Sequence, residues 1–177
     1  GAAEAAMERL RGQALDDGLV RGAAGAQTKA QAKAFWSIRE NQSPGQKPEG
    51  ATWKHDVSVP VSRVAEFLDQ ATARMEALVP GARVTAFGHM GDGNIHYDVI
   101  RPDGGDDAVH SALRADGSRI VHDIVASMGG SISAEHGLGS MKTEEARRYK
   151  SPVEVAALTA IRQSLDPKRI MNPRVLF

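Results

Sequence analysis

Gly88-His89-Met90-Gly91-Asp92-Gly93-Asn94-Ile95-His96 places a glycine-rich turn between two short runs that read as strands, Arg83 to Gly88 and Asn94 to Ile100. Strand, tight turn and strand make a β-hairpin. A two-residue turn at Gly91-Asp92 pairs His89 with Asn94, and a turn at Asp92-Gly93 pairs His89 with His96. Side chains on a strand alternate between faces, so either register puts both imidazoles on one face of the sheet. In the second, directly opposed Cβ atoms would lie about 4.5–5.5 Å apart, a separation from which two histidines can share a metal ion. The plain alternative is a permissive turn with two half-buried structural histidines.

Working outward, Thr52-Trp53-Lys54-His55-Asp56-Val57-Ser58-Val59 alternates as a strand does, and Pro60 ends it. Between that strand and the hairpin, Val64, Phe67, Leu68, Ala71, Met75 and Leu78 fall at helical spacing and mark one buried stripe. Beyond the hairpin a single helix is expected from about Asp107 to Met128, stopped by Gly129-Gly130, then a short strand at Ser131 to Ser133. Ser151-Pro152-Val153-Glu154 is a capping box that opens a helix ending near Leu165. At the N-terminal end, residues 2 to 17 and Thr28 to Glu40 read as helices, and Asn41 to Gly50 as a loop. The order of elements gives an α+β fold, a largely antiparallel sheet covered by helices on one face.

Composition narrows the chemistry. The chain has 177 residues, 22 Lys and Arg against 22 Asp and Glu, six His and no Cys. At this length one compact domain is expected. Without cysteine there is no disulfide framework, iron–sulfur cluster or thiolate nucleophile, so any metal must be held by His, carboxylate and water. Zero net charge argues against non-specific nucleic-acid binding. No apolar run approaches the roughly 18 residues of a membrane-spanning helix. No basic-then-apolar leader opens the chain, and a cytoplasmic, bacterial-type protein is expected. A start at Gly1 rather than Met suggests a piece cut from a longer protein.

Glu135-His136 is the natural complement to the hairpin pair. At a strand end adjacent side chains diverge, so Glu135 could complete a His-His-Glu set with His89 and His96 while His136 faces another part of the same cavity. Arg39, ending a helix, and Lys54, on the following strand, with Ser43 between them, offer the fork and the point charge that suit an organic acid. His55, His110 and His122 have no partner at ligand spacing and read as structural or surface residues.

Five segments carry a family resemblance: Phe35-Trp36-Ser37-Ile38-Arg39-Glu40, Lys54-His55-Asp56-Val57-Ser58-Val59-Pro60, Phe87 through His96, Ser133-Ala134-Glu135-His136-Gly137-Leu138-Gly139, and Asp166-Pro167 through Met171-Asn172-Pro173. In order and identity they resemble the C-terminal domain of FAD-linked oxidases of the vanillyl-alcohol oxidase type. The branch is the one that contains D-lactate dehydrogenase, the glycolate oxidase flavoprotein subunit and D-2-hydroxyglutarate dehydrogenase. The resemblance implies a ferredoxin-like C-terminal substrate and metal domain spanning 1–177, with the FAD-binding domain lying N-terminal to it in the same protein. It implies oxidation of a D-2-hydroxy acid of the lactate, glycolate or 2-hydroxyglutarate class to the 2-oxo acid. His89, His96 and Glu135 would hold a divalent metal, for which zinc is the best match. His136 would be the catalytic base, Arg39, Ser43, Lys54 and Asp98 would bind substrate, and Asn172 would approach the FAD. The implied partners are a small 2-hydroxy acid and the FAD-binding domain, with a homodimer allowed. Two positions depart from the family pattern: Asp98 where Asn is usual, and Arg174 where Gly is common. The alternative is a metal-stabilised binding module without redox activity.

Overall fold

The structure, a computed structural model, describes residues 1–175. It forms two compact units, Gly1–Pro44 and Gly45–Phe177. In the first, α1 (Ala2–Asp16) is followed by α2 (Lys29–Glu40). The start of α2 is fixed by Thr28, whose hydroxyl accepts from the Gln31 backbone N–H while the Gln31 side chain reaches back to the Thr28 N–H. Where a loop was expected over 41–50, the chain makes a single helical turn, α3 (Gln42–Gly45), and a 3-10 turn, Lys47–Glu49, with Pro48 seated in its first positions.

The second unit carries β1 (Thr52–Ser58), α4 (Val64–Leu78), β2 (Arg83–His89), β3 (Asn94–Ile100), α5 (Asp107–Ala112), α6 (Arg114–Ser127), α7 (Thr143–Tyr149) and α8 (Pro152–Leu165). The sheet is antiparallel with order β1-β3-β2, so β3 lies between the two strands that α4 connects. This is the split β-α-β of ferredoxin-like folds. The strand expected at Ser131 to Ser133 is reduced to one antiparallel bridge, Ser131 with Ser58. Beyond it the Ala134 N–H is shared between the Asp56 carbonyl and carboxylate, and the N–H groups of Glu135 and His136 turn to the carboxylate alone.

Alternation divides the sheet sharply. Trp53 and Val57 of β1 and Ile95, Tyr97 and Val99 of β3 point into a core completed by Phe67, Ala71 and Met75 of α4 and Val121, Ile124 and Val125 of α6. Burial of this set, at about 25 cal/mol per Å², is the main force holding α4 and α6 to the sheet. The helix expected across 107–128 is interrupted at Leu113. The His110 carbonyl there accepts the Trp53 indole N–H at 3.2 Å, and the His110 ring stacks on the indole at 4.2 Å. Gly117 makes room for that indole: a Cβ would come within 2.3 Å of Trp53 Cζ3.

The remaining histidines are structural, as the sequence suggested. His55 is buried on the core face, its Nδ1–H donating to the Tyr97 carbonyl at 2.8 Å and its Nε2 facing Ser118 Oγ at 3.1 Å. Burial pushes its pKa down from 6.5 to about 4; the Tyr97 hydrogen bond opposes this, and His122, Lys142 and Arg114 add to it. His122 meets Glu145 at 3.0 Å, and Glu145 also binds Arg119 at 2.7 Å, which ties α7 to α6. No periodic apolar stripe announces α7, although Glu144 and Glu145 in its first turn and Arg147 and Arg148 in its last complement the helix dipole. Among the described residues no helix is long and apolar enough to cross a membrane.

Candidate active site

The face of the sheet turned away from the core carries the polar residues. Lys54 and Asp56 of β1 stand opposite Asp98 and His96 of β3, while Phe87 and His89 of β2 stand opposite His96 and Asn94. Of the two hairpin registers open in the sequence, the structure adopts the one that pairs His89 with Asn94, so the two hairpin histidines are diagonal neighbours on one face. The turn depends on Gly93, whose φ of +72° and position 2.0 Å from the Val59 carbonyl oxygen, measured from an added Cβ, leave no space for a side chain. Asp92 finishes the turn by accepting the Asn94 N–H at 3.1 Å.

The second part of the site is the segment after the Ser131 bridge, and a residue not singled out in the sequence shapes it. Asp56 is 4% exposed, and its Oδ2 accepts the backbone N–H groups of Ala134 (3.1 Å), Glu135 (3.1 Å) and His136 (2.9 Å) and the Ser133 hydroxyl (3.3 Å). Burial by itself would raise its pKa, but the N–H groups of His136 and Glu135, with the nearby His136 and Lys142, hold the carboxyl below the usual range. Three successive donors on one carboxylate fold 134–136 over the sheet face. Glu135 Oε1 then lies 3.0 Å from His96 Nε2, and the His136 ring stacks on His96 at 5.4 Å. Asp56, His96, Glu135 and His136 offer ligand atoms within 4.8 Å of one another. His89 lies at the edge of this group, its Nδ1 3.9 Å from Glu135 Oε2. The donor set is chemically suited to a divalent ion, with neutral-capable imidazoles and an ionisable carboxylate on one accessible face.

The other expected residues are distributed as follows. Lys54 Nζ is 3.9 Å from Asp98 Oδ2, with the lysine half-exposed and the aspartate buried. Burial pushes the Asp98 carboxyl up; the Lys54 charge opposes it, as does the Gln46 amide, which faces it short of full hydrogen-bonding geometry. Arg39 and Ser43 belong to the first unit, where the Arg39 guanidinium lies 5.8 Å from the centre of the Trp36 ring. Asn172 adopts a left-handed backbone conformation, φ 45°, and its carbonyl accepts from Arg162 at 3.0 Å. Asp166 fixes the same segment by accepting the Ile170 and Met171 N–H groups, both at 3.0 Å.

A family described as "FAD linked oxidases, C-terminal domain" matches residues 1–176. Among curated relatives, the mitochondrial D-2-hydroxyglutarate dehydrogenase of Arabidopsis thaliana is 37% identical over 167 residues, covering 94% of this chain and 28% of the relative. The probable mitochondrial D-2-hydroxyglutarate dehydrogenase of Oryza sativa subsp. indica is 34% identical over 170 residues, 96% of this chain and 29% of the relative. The D-2-hydroxyglutarate dehydrogenase of Stutzerimonas stutzeri is 33% identical over 181 residues, 98% of this chain and 39% of the relative. The chain thus spans well under half the length of these relatives. Their names correct the expected cytoplasmic location, since the plant proteins and the Bos taurus relative are mitochondrial. With the sheet, the hairpin and the Glu135-His136 segment in place and the match running over 1–176, the chain belongs to the FAD-linked oxidase C-terminal domain family.

Proposed function

We propose that this chain is the substrate-handling, C-terminal part of an FAD-dependent dehydrogenase that oxidises a D-2-hydroxy acid to the 2-oxo acid, with a 2-hydroxyglutarate-class substrate favoured by the names of its relatives. The observation that carries the reading is the convergence of His96, Glu135 and His136 on one face of the sheet. Two imidazoles and a carboxylate, His89, His96 and Glu135, are the groups that would hold a divalent ion, and zinc suits them. When bound, the ion supplies Lewis acidity at the substrate oxygens and FAD supplies the hydride acceptor.

The protein's own residues do the rest. His136, 64% exposed at its side chain, is free to meet a substrate hydroxyl and takes its proton as C2 gives up hydride. Lys54 supplies positive charge to a substrate carboxylate and offsets the buried Asp98 beside it. Arg39 and Ser43 keep the substrate-binding role that the resemblance implies, and Asn172 the approach to FAD. The FAD-binding domain is the N-terminal part of the same protein. His136→Ala in the full-length enzyme is expected to slow flavin reduction by D-2-hydroxyglutarate about 10²–10⁴-fold with metal content unchanged. Reduction at a near wild-type rate would show that His136 is not the base.

A further inference from the structure

The geometry points to Asp56 as the positioning residue of this site, a single carboxylate that holds the 133–136 segment with one oxygen and orients His96 with the other. The inference rests on the proposed roles of His96, Glu135 and His136. Oδ2 is saturated by the Ser133 hydroxyl and the N–H groups of Ala134, Glu135 and His136, so the paths of the proposed ligand and of the proposed base are set by the same atom. Oδ1 is buried and has no hydrogen-bond partner. The polar group it faces is His96 Nδ1 at 3.9 Å, while the opposite nitrogen of that ring, Nε2, is turned to Glu135 Oε1 at 3.0 Å. A buried acceptor left unmade is costly, and an Nδ1–H on His96 is the donor that would satisfy it. That contact selects the tautomer whose Nε2 lone pair is directed at the ligand position, the arrangement in which a carboxylate supports a metal-binding histidine.

The four hydrogen bonds on Oδ2 divide the work of the carboxylate between its two oxygens. Oδ2 is committed to the Ser133 hydroxyl and the 134–136 backbone, Oδ1 is left facing His96 Nδ1 at 3.9 Å, and the His136 Nδ1 lies 3.8 Å from Oδ2. The role differs from that of a residue serving only the fold: it predicts coupled losses in ion affinity and in turnover, with substrate affinity spared.

The test uses the full-length flavoenzyme, zinc alone as the metal probe, and Asp56→Asn beside Asp56→Ala. Asp56→Asn keeps one acceptor for the backbone donors but directs an amide toward His96 Nδ1. Zinc affinity, measured by competition with a chelating dye, is expected to fall about 10–100-fold, and kcat to fall by a similar factor with KM changed less than about threefold. Asp56→Ala is expected to lose more of both. His96→Ala, run in parallel, separates this inference from the reading beneath it. If His96→Ala loses zinc while Asp56→Asn keeps wild-type affinity and kcat, the positioning role is overturned and the metal site stands. If His96→Ala binds zinc normally, both fall. For variants that do not fold, the zinc-loaded wild-type protein labelled with ¹⁵N-histidine decides: His96 with its proton on Nδ1 supports the assignment, and zinc coordinated through Nδ1 overturns it.

Discussion

Acid should loosen this domain through His55, and the size of the effect follows from where that ring sits. His55 is 3% exposed and hydrogen-bonded as a neutral ring, so its folded pKa is near 4 against an ordinary value of 6.5. In the unfolded chain the ring takes up a proton below about pH 6.5, whereas the folded protein resists until about pH 4. Stability is therefore greatest above 6.5 and declines as pH falls through this window. At about 1.4 kcal/mol per pH unit the gap is worth about 3 kcal/mol, a sizeable part of an ordinary domain's stability. His55→Asn retains a donor for the Tyr97 carbonyl and removes the titration. Urea unfolding, followed by the fluorescence of the buried Trp53, should show a wild-type stability that drops steeply from pH 6.5 to 4. The variant, lower at pH 7 through lost packing, should have a slope shallower by up to about 1.4 kcal/mol per pH unit. His122, also held below its ordinary value by burial, retains its own contribution in both proteins. Parallel curves for the two proteins would refute the assignment of this proton to His55.

Gly93→Ala should cost about 1–3 kcal/mol through its left-handed backbone and its collision with the Val59 carbonyl, and should weaken the zinc binding proposed above; thermal melting and a zinc titration report the two losses. Gly117→Ala should destabilise by about 1–3 kcal/mol, because the new methyl group meets the Trp53 ring at 2.3 Å and overpacking outweighs the gain in helix propensity; the melting temperature and the Trp53 emission should both shift. Asp98→Asn should raise stability at pH 7, since burial penalises the carboxylate, and the gain should vanish as pH falls below the ordinary carboxylate range; denaturation at pH 7 and about pH 3 makes the comparison.

The strands were legible because each alternates, and the hairpin because glycines mark its turn. The register was not: two turn placements differ by one residue, and the choice shows only in the folded chain, where Gly93 packs against the Val59 carbonyl and Asp92 accepts the Asn94 N–H. The break at Leu113 was hidden because it depends on Trp53, sixty residues upstream in sequence terms of the same core, claiming the His110 carbonyl. His89, His96, Glu135 and His136 could be named from residue type and spacing. Asp56 could not, since an aspartate within a strand normally signals an exposed face. The available clue was parity, as Asp56 shares a sheet face with Lys54, two residues away on the same strand. The α7 helix lacked an apolar stripe because it is joined to α6 through Glu145 and by the Tyr149 hydroxyl to Asp123 at 2.6 Å, a polar attachment that periodicity does not detect.

The parity of β1 and β3 separates two kinds of evolutionary freedom. Odd-numbered positions 53, 55, 57, 95, 97 and 99 build the scaffold, and even-numbered positions 54, 56, 94, 96 and 98 carry the polar chemistry. Substitutions on the even-numbered set change the polar face while leaving the core set in place. Insertion or deletion of one residue inside either strand exchanges the two sets, exporting core side chains to water and importing carboxylates and imidazoles beneath α6. A change in length is therefore tolerated far better in the connections between strands than inside them.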